Sequence, residues 1–192
     1  KYFAAPDYLG NSVYNRYVSW SSGKSVILVS SGTYMDQTLT TPEGLTIDNG
    51  IPVNETLIFG RMDALVIVYA TGGIAVSNLN DADLTLKGNK IEPSRKFNLR
   101  NSTWDKDDFM EWAKTHLLVY KNELKISAYN SNQKSQERRF LAVGKDEEGK
   151  LTHVIVHRPE HSTLYEGARK AFEFLKDFKG MEVTFLINLD TG

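Results

Sequence analysis

The chain has 192 residues, 41% hydrophobic and 24% charged, with a formal net charge of −1 at pH 7. That length and composition suit a globular domain with a sizeable core, and the near-neutral balance supplies no global field for nucleic acid or an anionic membrane. The sequence has no cysteine, which excludes disulfides, thiol nucleophiles and Cys-ligated metals. No apolar run reaches the length of a membrane span. The first residue is Lys1 rather than Met, which fits a mature form whose signal peptide has been removed.

Residues 1–24 are aromatic and polar and read as an irregular entry segment with one short strand. Ser25-Val-Ile-Leu-Val-Ser30 is rich in β-branched residues and bounded by glycines, so it reads as a buried strand. Thr41-Pro-Glu-Gly44 has turn chemistry. Leu45-Thr-Ile47 is a short strand, and Asp48-Asn-Gly-Ile51 is a hairpin signal. Residues 64–70 form a second buried strand, and 74–77 continue as strand beyond Gly72-Gly73. Residues 81–100 read mostly as loop. Ser102 or Thr103 can cap a helix over about 104–114, with Asp105, Asp107 and Asp108 in its first turn and Phe109, Trp112 and Ala113 on its apolar face.

Residues 116–120 and 124–129 read as a hairpin about Lys121-Asn-Glu123. Residues 139–144 and 151–157 form another about Asp146-Glu-Glu-Gly149. Thr163 and Glu166 have capping-box spacing. Behind them Leu164, Ala168, Ala171, Phe172, Leu175 and Phe178 make one helical stripe that ends at Gly180. Residues 181–189 are a near-continuous apolar strand, expected to be covered on both faces. Together these elements predict an α+β fold: a single domain over residues 25–192 with a mixed, mostly antiparallel β-sheet and two main helices packed on it.

No Walker, Rossmann or G-x-S-x-G fingerprint occurs. The histidines at 153, 157 and 161 read as solvent-facing or sheet-surface residues rather than as a chelating set. A divalent cation at the sheet edge, with Asp190 as a ligand, stays open; no cofactor is demanded. The chemically suggestive residues are distributed. Ser30-Ser31-Gly32 follows a strand, Arg138-Arg139 opens another, and Asp190-Thr191-Gly192 ends a third. Small residues at strand ends let a ligand approach backbone N–H groups. Arginine offers a planar fork for a phosphodiester or carboxylate, and Asp190 could act as acid, base or stabiliser.

In this order the segments resemble the phosphodiester glycosidase family. Its members carry an Asn-Gly-Gly-like motif after an early strand, where this chain has Ser30-Ser31-Gly32. They carry Thr-Pro-x-Gly-Leu with an Asn-Gly turn, where it has Thr41-Pro-Glu-Gly-Leu45 and Asn49-Gly50. Thr115-His116-Leu-Leu-Val119, the strand from Arg139 into Gly149-Lys-Leu151, Thr163-Leu-Tyr-Glu-Gly-Ala168 and Asn188-Leu-Asp190-Thr191-Gly192 match the later motifs. The early and final glycine motifs are altered, and the chain reads as stopping inside the final one.

The resemblance implies a periplasmic or extracellular hydrolase that cleaves the glycosidic bond of a sugar-1-phosphodiester. Its partner would be a carbohydrate or phosphoglycan. Asp190 would give acid/base or electrostatic help. Arg139 or Arg138 would clamp the phosphodiester, and Ser30, Ser31, Gly32, His116, Thr191 and Gly192 would line the substrate pocket. The altered glycines point to an alternative, a non-catalytic saccharide- or envelope-binding domain on the same fold.

Overall fold

The structure, a computed structural model, describes residues 3, 12–30, 32, 34–35, 42–48, 51–54, 63–69, 73–78, 85–86, 89–90, 109–115, 117–128 and 134–189. The fold is α+β, with mostly antiparallel strands and, among the described residues, two α-helices. The chain divides into two compact units, Lys1–Lys114 and Thr115–Gly192.

The first unit opens with a helix rather than irregular chain. Helix α1 spans Val13–Ser21, and the Ser12 side chain caps it by accepting the Asn15 N–H at 3.2 Å. Its sequence signal was the i, i+4, i+7 spacing of Val13, Tyr17 and Trp20. Arg16 reaches from α1 to the buried Asp48 with both terminal nitrogens, at 2.5 and 2.9 Å. The expected strand at 25–30 is not one. The segment lies outside every strand, and Ile27 is 98% exposed. Its apolar run matched a buried strand, but no neighbouring ladder takes it up.

β1 (Thr46–Asp48) and β2 (Ile51–Asn54) form the expected hairpin, and β3 (Ala64–Tyr69) pairs antiparallel with β4 (Ile74–Asn78). The predicted helix over 104–114 is replaced, from residue 109 onward, by strand β7, Phe109–Thr115; residues 101–108 lie outside the described set. Trp112 of β7 pairs with Ile47, and β7 occupies the centre of a sheet ordered β2-β1-β7-β3-β4. Two open flanking ladders outweigh the modest helical propensity of this segment. The short pair β5 (Thr85–Leu86) and β6 (Asn89–Lys90) stands apart.

The second unit is a sheet ordered β11-β10-β12-β8-β9 with helix α2 on one face. Strand β8 (Leu117–Tyr120) turns into β9 (Glu123–Leu124) through Lys121 and Asn122, both at positive φ, the backbone of a type I′ hairpin. The second arm is shorter than expected, since 125–128 lie outside any strand. Strands β10 (Gln136–Lys145) and β11 (Leu151–Ser162) extend beyond their predicted ends. The Asp146 carboxylate fastens their turn by accepting the Glu148 and Lys150 N–H groups at 3.1 and 2.9 Å.

Helix α2 (Leu164–Glu173) begins on the predicted capping box, in which Thr163 and Glu166 each accept the other's backbone N–H. Leu164, Ala168, Ala171 and Leu175 pack on Phe140 and Ala142 of β10, Leu118 and Val119 of β8, and Val183 and Leu186 of β12 (Glu182–Leu189). Burying that many aliphatic and aromatic groups is the main source of stability here. β12 is buried continuously from Phe185 to Asn188, but Glu182 and Thr184 are exposed, so only part of it is covered as expected.

The exposure of Thr184 follows from a bulge. Gly144 faces Val183 while Val143 faces Phe185, which leaves Thr184 without a partner on β10. Gly144 permits the close approach there: a Cβ on it would lie 2.2 Å from the Glu182 carbonyl oxygen.

Candidate functional site

Three strands carry the region to which the motifs pointed. On β10, Arg139 pairs with Leu189 of β12 on one side and with His157 of β11 on the other. Directly opposed residues share a face of a sheet. Arg139, His157 and Leu189 therefore form one cross-strand row, and Asp190 is the next residue in sequence after Leu189. Leu189, inside the expected 188–192 motif, is thus the register neighbour of Arg139; Asp190 itself lies outside the described residues.

The arginine pair separates by the period of the strand. Arg138 is 97% buried beneath helix α2. Its Nε donates to the Ser162 carbonyl at 3.1 Å and its Nη2 to the Lys134 carbonyl at 2.6 Å. Gly167 makes room for it, since a Cβ there would lie 3.0 Å from Arg138 Cγ and 3.2 Å from Phe140 Cζ. Arg138 thus ties the start of β10 to the end of β11 and to the segment that precedes β10. Arg139 is half-buried on the opposite face.

Sequence reasoning left His157 among the surface histidines, and it is exposed, as are His153 and His161. It nonetheless has a partner: its Nε2 lies 3.6 Å from Oε2 of Glu137, on the same strand as Arg139 and two residues before it. Only the pairing of β10 with β11 reveals this, because the two residues are separated by a long hairpin. Among the described residues no group of three metal-ligating side chains is arranged to hold an ion.

Ser30 and Gly32 belong to the first unit. They line a cavity of about 490 Å³ with Phe3, Tyr14, Tyr17 and Trp20. Phe3 and Trp20 meet edge to face, with ring centroids 5.9 Å apart. Arg16 lies over the Phe3 ring and Lys24 over that of Trp20. Tyr14, Tyr17 and Trp20 of these walls come from α1, a helix not expected from the sequence. Ser31, His116, Asp190, Thr191 and Gly192 lie outside the described residues.

No protein-family model and no curated protein matches the chain. No helix among the described residues is long and apolar enough to cross a membrane.

Proposed function

We propose that the chain is a hydrolase of sugar-1-phosphodiesters of the phosphodiester glycosidase type, acting in the periplasm or outside the cell. One observation supports the reading: the register sets Arg139 of β10 beside Leu189 at the end of β12, the strand that runs into the 188–192 motif. In the reaction, water adds to the anomeric carbon, the C1–O bond breaks, and a phosphomonoester leaves with the bridging oxygen. Arg139 holds the non-bridging phosphate oxygens through its planar fork. Asp190 assists at the anomeric centre as acid, base or charge stabiliser. Arg138, already engaged with two carbonyls, supports the strand instead.

Turnover of a GlcNAc-1-phosphodiester tests this. Asp190→Asn should lower kcat by about 100-fold or more, and Arg139→Ala should lower kcat/KM by a similar order. Full turnover by Asp190→Asn would sink the catalytic assignment.

The aromatic cavity supports a second reading, a non-catalytic saccharide-binding domain. Aromatic walls with a few hydroxyl groups suit the mixed apolar and polar faces of a pyranose ring. Under that reading Trp20→Ala abolishes glycan binding, Arg139→Ala leaves it intact, and neither protein hydrolyses the substrate.

A further inference from the structure

We propose that His157, which lies beside Glu137, is a second phosphate-binding residue, so that its imidazole N–H and the Arg139 guanidinium share one phosphate group. This rests on the hydrolase reading above and adds to it a group that the motifs did not contain. Three features of the second unit support it. His157 and Arg139 are direct cross-strand partners, which places their Cβ atoms about 4.5–5.5 Å apart on one face. That spacing lets two donors reach different oxygens of one phosphate. β11 is the outer strand of its sheet and His157 is 47% exposed, so an anion can approach from solvent.

The third feature is Glu137, whose carboxylate lies 3.6 Å from Nε2. It lies beside the Nε2 edge of the ring at ion-pair rather than hydrogen-bond distance, and Nδ1 is the nitrogen that would donate to the ligand. The other titratable side chains at the same strand parity on β11 are His153 and His161, each four residues away; Leu189 on β12 adds no charge. The ligand class is a phosphate monoester or the diester that yields it.

The test uses the full chain labelled with 15N-histidine and titrated with inorganic phosphate at mildly acidic pH. The His157 ring resonances should shift saturably. His157→Gln should weaken phosphate binding about tenfold or more, and Arg139→Gln should remove both the binding and the shift. Phosphate binding by His157→Gln as tight as by the wild type overturns the proposal. So do ring resonances that stay fixed while phosphate binds, and so does a wild type that does not bind phosphate. A wild type that binds phosphate through His157 but does not hydrolyse the phosphodiester sinks the hydrolase reading and leaves this one standing.

Discussion

Arg138 and Arg139 are adjacent and differ in burial, because a strand sends successive side chains to opposite faces. Truncating the buried one removes two hydrogen bonds and opens space under Gly167. Arg138→Ala should therefore cost about 2–4 kcal/mol in chemical denaturation. Arg139→Ala should cost less than about 1 kcal/mol while impairing turnover. Asp146 gives a pH prediction. The Lys150 N–H, helped by the Thr152 hydroxyl and the Glu148 N–H, holds its carboxyl below the ordinary value of 3.8. A folded-state value below the unfolded one stabilises the protein above the ordinary carboxylate range, and that contribution disappears as pH falls through the lowered value. Asp146→Asn should thus melt earlier than the wild type at neutral pH, with the gap closing in strong acid. A gap that persists at low pH would show that turn packing, not charge, is responsible.

At the scale of elements, the closing helix shows where periodicity holds and where it fails. The stripe from Leu164 to Leu175 is buried as its spacing requires, yet Phe178 is 72% exposed. The cause is a π-helical turn over Phe174–Phe178, in which the Lys179 N–H reaches the Phe174 carbonyl at 3.2 Å. The wider turn shifts the phase of the stripe, and Phe178 stacks on Phe174 instead of entering the core. Leu175→Ala should cost about 2–5 kcal/mol and Phe178→Ala under about 1 kcal/mol; equal losses would contradict the π-turn. On the sheet side, Gly144→Ala forces a Cβ against the backbone of Glu182. It should cost about 3 kcal/mol or more, measured by the same denaturation. The capping box needed no tertiary information, because all its partners lie within one turn.

For the whole molecule, protection should be uneven. Amides of β10 and β12 around Phe140, Ala142 and Leu186 have interior neighbours and fully buried side chains. They should exchange slowest, and α1, in which no residue is buried, should exchange orders of magnitude faster. Slow exchange confined to α1 would contradict the core assignment. The parts legible in the sequence are those fixed by local chemistry. They are the Asp48–Ile51 and Asp146–Gly149 hairpins, the Thr163–Glu166 cap, the stop at Gly180 and the apolar runs of β3 and β12. Together they gave the α+β class with antiparallel strands. Other features depend on what lies across space. Strand β7 formed where aromatic spacing also allowed a helix, because the ladders of β1 and β3 were open to it. The 25–30 run met no such ladder and stayed exposed. The same holds for the site. Sequence order could name Arg138, Arg139 and Asp190, but only register could separate the two arginines and set Glu137 and His157 on the face of Arg139. A hydrogen-bonded turn is decided by residues a few positions apart, whereas a face of a sheet is decided by strands that the chain delivers from far away.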